Sequence, residues 1–249
     1  MEKILVLLLI VSCGRVKPAP SLPAPVPERL LEKEAYYRDN MAFDSYGWIP
    51  PECDGLLFNS IARVIGIPVN VYAAEESPGK WRRHPNFERC KPGNGSGSEI
   101  SRDMFRGLFL NLVIQKDHGA LTRIAEYGKN NSWFMGEGDP SRTWFNPLIR
   151  NQLYRMIGRG VEVEEPSPVA LPDYEGHLRV LSILTEFVAY GYLSDDEANE
   201  LHNYARDNPR NTMYQIISSK FSGEDPNLDT LYDDNLFPLG PITDKNRFT

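Results

Sequence analysis

The chain predicts an all-α fold, and three observations carry that expectation. Apolar residues recur three and four apart over most of its length. Runs of strand-forming residues are almost absent. The joints between apolar runs are written in helix-start residues, Ser, Asp and Asn. The chain has 249 residues, 41% hydrophobic and 24% charged, with a net charge of −7. That composition suits a globular protein of ordinary size.

The first residues stand apart. Met1-Glu2-Lys3 precedes an apolar run, Ile4 to Val11, that is too short to span a bilayer as a helix. It ends in Ile10-Val11-Ser12-Cys13-Gly14. This ending resembles the lipobox of bacterial lipoproteins. The resemblance implies a signal peptide over 1–12, cleavage before Cys13 and a diacylglycerol on its thiol. It places the mature protein in a bacterial cell envelope. With Gly14 rather than Asp in second position, the resemblance favours the outer membrane over the inner. The alternatives are a short buried helix or an ordinary secretory signal, whose Ala-x-Ala site is missing here. Residues 14–28 alternate prolines with small residues, the pattern of a polyproline spacer about 3.1 Å long per residue. Cys13 and this tether occupy 13–28, and one all-α domain is expected over 29–249.

Element by element, a first helix is expected near Glu28-Arg29-Leu30-Leu31-Glu32. A second follows Cys53-Asp54-Gly55, with apolar positions at Leu57, Ile61, Val64 and Ile65. A loop with one short strand, Val69-Asn70-Val71-Tyr72, leads to Ser98. Ser101-Arg102-Asp103 opens a strongly apolar helix, Met104 to Ile114, and its wording is similar to phrases in uncharacterised bacterial and phage proteins. Gly119 to Tyr127 reads as an amphipathic helix stopped by Gly128. A further apolar helix follows Asp139-Pro140-Ser141 and runs to about Ile157, with Pro147 marking a kink or a later start. A Val/Glu/Pro loop over 158–172 precedes Asp173-Tyr174-Glu175-Gly176-His177 and an apolar helix from Leu178 to Tyr190. Ser194-Asp195-Asp196-Glu197 has capping-box spacing for an amphipathic helix to about Arg206. A last helix follows Asn208-Pro209 through Lys220, and the tail is Asp/Pro-rich.

Cys13 aside, two cysteines remain, Cys53 and Cys90. An exported chain keeps disulfides, so these are expected to be bonded. Closing that loop stabilises by roughly 3–4 kcal/mol. Two free buried thiols are the alternative.

Several function classes lose support. The acidic balance offers no basic stripe to neutralise phosphates, so no nucleic-acid partner is expected. Lys80-Trp81-Arg82-Arg83-His84 is the most basic cluster and reads as a solvated loop or as a contact for an anionic sugar or lipid head group. The chain holds no dinucleotide, phosphate-loop, nucleophile-elbow or zinc-protease motif, and its four His are not spaced as metal ligands. No cofactor and no metal is expected.

Apolar helices alternate with amphipathic ones, and helices apolar all round must be buried beneath others. The alternation resembles the (α/α) toroids of carbohydrate-active families, here as an incomplete, toroid-like array of helical hairpins with a disulfide-stapled loop. If the apolar helices run parallel, their polar starts meet in one mouth. There Glu137, Asp103 and Asp54 are the candidate acids for glycosidic chemistry, which needs two carboxylates across one bond. Arg102, Arg142, His177, Trp133 and Trp144 are the candidate substrate contacts, rings stacking on sugar faces and Arg forks holding hydroxyls or carboxylates. Each has a plainer reading. Asp54 and Asp103 serve as helix cap and first-turn acid. Arg102 pairs with Asp54 or Glu137. Glu137, between Gly136 and Gly138, sits in a solvated turn. His177 and the two Trp belong to the core. The sequence thus yields two functions: a membrane-anchored lipoprotein binding and cleaving glycan or peptidoglycan, or a non-catalytic envelope scaffold.

Overall fold

The computed structural model describes residues 41–49, 53–64, 66–159 and 176–208, with positions 35, 39, 214–215 and 217–218. Cys13, the tether, the helix expected near 28–32, the 160–175 loop with Asp173 and Glu175, and the tail lie outside the described residues. So does the side chain of His177.

Described residues from Phe43 to Gly191 form one compact unit, and those from Tyr192 onward belong to a second. In the first, α1 (Gly55–Val64) is followed by a 3-10 turn, Val71–Ala74, and a small antiparallel pair, β1 (Glu75–Ser77) and β2 (Lys80–Trp81). Then come α2 (Arg102–Ile114), α3 (His118–Asn130), the single turn α4 (Pro140–Thr143), α5 (Pro147–Met156) and α6 (Gly176–Tyr190). The second unit holds α7 (Asp195–Asp207). Its capping box is complete: the Ser194 hydroxyl accepts from the Glu197 N–H, and the Glu197 carboxylate accepts from the Ser194 N–H. No helix among the described residues is long and apolar enough to cross a membrane.

Helix α2 is the centre of the first unit. Met104, Phe105, Leu108, Phe109, Leu110 and Leu112 are all buried, so apolar side chains cover most of its circumference, as its sequence predicts. Phe145 stands edge-on to Phe105 with centroids 4.7 Å apart. Gly107 lets α1 approach closely: a methyl there would lie 2.6 Å from the Leu57 carbonyl oxygen. One turn on, the Asn111 amide donates to the Ser60 carbonyl at 3.3 Å. Both contacts advance in the same direction along both helices, so α1 and α2 run parallel. The same test makes α5 and α6 parallel. Gln152 donates to the Ser182 carbonyl at 3.1 Å, and Arg155 meets Glu186 at 3.2 Å.

The structure corrects several local expectations. Residues 71–74 are a 3-10 turn, and the strands are 75–77 and 80–81, around Pro78-Gly79. Gly128 does not stop α3, which continues to Asn130; it makes room for the Trp133 ring, 2.5 Å from where its methyl would stand. Pro147 marks a later start: it is the first residue of α5, and the Asn146 side chain caps the helix by accepting from the Ile149 N–H. Cys53 and Cys90 are bonded, with Cα atoms 5.3 Å apart.

Candidate functional site: a helix-start mouth beside an exposed aromatic pair

The basic cluster at 80–84 is neither a solvated loop nor free for an anion. Arg82, Arg83 and His84 are buried. Arg82 forks onto Glu76 with two 2.9 Å bonds and also pairs with Glu99. His84 donates from Nε2 to Asp44 at 2.7 Å, while its Nδ1 accepts the Asn86 N–H, which assigns the tautomer. Burial alone raises the Asp44 carboxyl, but the His84 bond and the N–H groups of Trp48 and Tyr46 outweigh it and hold it below its ordinary value.

Arg83 is the hub of the helix starts. Its guanidinium donates to the Ser98 carbonyl and hydroxyl, both at 3.0 Å, and to the Cys53 carbonyl at 2.8 Å. It pairs with Asp54 at 3.4 Å. Burial pushes it below its usual value, and Asp54 and Asp103 offset part of that while Arg142 adds to it. Asp54, Asp103 and Arg142 therefore share its electrostatic neighbourhood. Asp139 feels both Arg142 and Arg102. The segments that open α1, α2 and α4 are tied together: Arg83 bonds Cys53 and Ser98, and the Asp139 N–H donates to the Gly97 carbonyl at 3.0 Å. Arg83 was missed, because a run of cations reads as surface.

Glu137 is placed differently from those acids. It lies in a hairpin, residues 131–146, whose tip is laced to the segment before α2. The Glu137 N–H donates to the Glu99 carboxylate, and the Glu99 N–H donates to the Glu137 carbonyl, both at 2.9 Å. The two flanking glycines are used by this lacing rather than left open. A methyl on Gly138, at φ +104°, would stand 2.4 Å from the Gly97 carbonyl oxygen, and one on Gly136 would press on Ile100 and Glu99. The Glu137 side chain itself is exposed. Arg142 is 57% exposed and sits 3.7 Å from Asp139, which caps α4.

The base of the hairpin carries the second feature. Phe145 donates to the Trp133 carbonyl at 2.9 Å, and Met135 to the Thr143 carbonyl at 3.0 Å. These two bonds bracket Phe134 and Trp144, making them a non-hydrogen-bonded antiparallel pair with side chains close on one face. Met135 and Phe145 point inward and are fully buried; Phe134 is 41% exposed and Trp144 36%. Leu148, also exposed, follows one turn later. Ser132 and Trp133 both have positive φ, 53° and 68°, an uncommon backbone for a bulky side chain. That bend seats the Trp133 ring edge-on to Tyr154 at 5.5 Å. Arg150 then lies with its guanidinium carbon 5.6 Å from the Trp133 ring centre and 5.4 Å from that of Trp144.

Trp133 is thus part-buried support and Trp144 part of the exposed face. Phe134 and Arg150 were not foreseen. A signal existed: Trp133-Phe134-Met135 and Thr143-Trp144-Phe145 are two short extended triplets, and alternation sends one aromatic out and its neighbour in. Comparison with known protein families, with curated proteins and with solved structures gave no match.

Proposed function

We propose that this chain is a bacterial envelope lipoprotein, held to its membrane through Cys13, that binds a glycan on the Phe134–Trp144 face beside the helix-start mouth. The observation that carries the reading is two aromatic residues, cross-strand neighbours and each more than a third exposed, on a hairpin fixed at both ends. Aromatic side chains open to solvent on one face offer a flat apolar platform. Pyranose rings present flat C–H faces to such a pair, and the mouth's Arg and Asp side chains supply partners for hydroxyls. The parallel pairs α1/α2 and α5/α6 support an inner helix layer of the incomplete toroid. Lipid anchoring rests on the lipobox resemblance alone.

Binding, not cleavage, is the activity the geometry favours. A glycosidase needs two acids across one bond. Asp54 is paired to Arg83, Asp103 stands in the first turn of α2, and Glu137 lies on the laced hairpin tip. The scaffold alternative draws on that same Asp54–Arg83 pair, which pins two segments together.

The test uses the full-length protein in detergent against a panel of polysaccharides and peptidoglycan, reading retention and release of reducing ends. Retention of at least one polymer is expected, with loss of at least tenfold in affinity for Trp144→Ala and Phe134→Ala at little cost in melting temperature. Glu137→Gln is expected to change nothing. Release of reducing ends that Glu137→Gln abolishes would establish cleavage instead. No retention of any polymer would leave the scaffold.

A further inference from the structure

We infer that the ligand of this face bears a carboxylate, an acidic sugar whose ring lies on Phe134 and Trp144 and whose anion is taken by Arg150. The inference rests on the glycan reading and adds the substrate class.

Arg150 is the observation that calls for it. It is part-buried between two indoles, yet no acidic side chain among the described residues pairs with it. Its Nε is sealed from solvent and bonds to nothing described there. Its two terminal nitrogens also donate to no described group, and they keep contact with solvent. Three other buried or part-buried arginines are spoken for: Arg82 by Glu76 and Glu99, Arg83 by Ser98, Cys53 and Asp54, Arg155 by Glu186. A guanidinium stacked on aromatic rings is oriented and partly desolvated, while its fork stays open. Trp144 holds the cation and is itself exposed, so the fork ends at the edge of the proposed sugar platform.

Charge and planar shape together favour a carboxylate. One guanidinium balances one negative charge. A planar carboxylate meets both terminal N–H groups at once, and the pairing is charge-assisted and bidentate. A phosphate monoester carries nearly two charges near neutral pH. The hydroxyls of a neutral sugar leave the cation uncompensated.

The experiment pairs each of several uronate polymers with its own carboxyl-reduced form, which differs only in lacking the charge, and adds a phosphate-bearing polymer. Binding is measured by the full-length protein in detergent at two salt concentrations. The native uronate form is expected to bind at least tenfold more tightly than the reduced form, and less so at high salt. Arg150→Gln is expected to bring the two forms to equal affinity. Trp144→Ala is expected to weaken both. Should Arg150→Gln fail to fold, Arg150→Lys keeps a point charge without the fork, and the preference is expected to fall at least threefold. Equal binding of native and reduced polymers, a preference that survives Arg150→Gln, or a preference for the phosphate polymer would overturn the inference and leave the glycan reading standing. Binding of no polymer would overturn both.

Discussion

At the scale of single residues, the glycines of this chain do work that their sequence context hides. Gly107 lies in the middle of a helix, where alanine ordinarily gains about 1 kcal/mol. Here the methyl would press on the Leu57 carbonyl at 2.6 Å, against a backbone that cannot yield as a flexible side chain does. Overpacking of that kind costs about 1–3 kcal/mol and outweighs the propensity. Gly107→Ala is therefore expected to lower stability, by up to about 2 kcal/mol. Gly119→Ala, where only the side-chain ends of Asp117 and Arg123 lie near, is expected to be neutral or slightly stabilising. Urea unfolding midpoints of the two variants check the pair. A stabilised Gly107→Ala would refute the close parallel crossing of α1 and α2. The pairing of buried His84 with part-buried Asp44 makes the same point about polar residues. It was not legible, because forty residues separate the partners and a histidine next to three cations reads as exposed.

The decisive element is the 131–146 hairpin. In sequence its first half reads as a turn around Glu137, and its second half, after Asp139-Pro140-Ser141, as the start of an apolar helix running to about Ile157. The backbone instead satisfies its donors by pairing with itself at 134/144 and with the segment 97–99 at the tip. Those bonds are long-range, so no local pattern announces them. The loop ahead of it, from Cys53 to Cys90, is held differently. The disulfide closes a span of 37 residues that includes α1 and the β1–β2 pair. Removing it with Cys53→Ala and Cys90→Ala together is expected to cost roughly 3–4 kcal/mol, mainly by freeing the unfolded chain. Mass spectrometry after thiol alkylation, without reductant, should find neither cysteine labelled in the parent protein. Labelling at both positions would contradict the bond.

At the scale of the whole molecule, the proposed anchor is a single atom, the Cys13 sulfur. One acyl chain binds a membrane marginally, and two or more hold it stably. The run from Ile4 to Val11 is too short to span a bilayer, and among the described residues no helix replaces it. Cys13→Ala is accordingly expected to move the protein to the soluble fraction, or to leave it as an uncleaved precursor without label from a fatty-acid analogue. Unchanged membrane retention with unchanged mass would end the lipoprotein reading. The anchor and the glycan face are independent proposals, and either can fail without the other.

What the sequence determined by itself is the helical class, the positions of α1, α2, α6 and α7 to within a few residues, the capping box at Ser194 and the Cys53–Cys90 pairing. Each of these is written locally or by elimination: a 3.6-residue period, a cap three residues from its partner, two cysteines left over. That the segments opening α1, α2 and α4 are tied together was also within reach, because helix starts are polar. Tertiary structure alone decided the rest. It made Arg83 the buried centre of those starts, turned a cationic run into a core, spent the glycines around Glu137 on strand contact, and brought Phe134 beside Trp144 over Arg150. The physical reason is the same in each case. Burial and pairing of a charged or aromatic side chain depend on what arrives from distant sequence, and a residue's type records only the cost of leaving it unpaired.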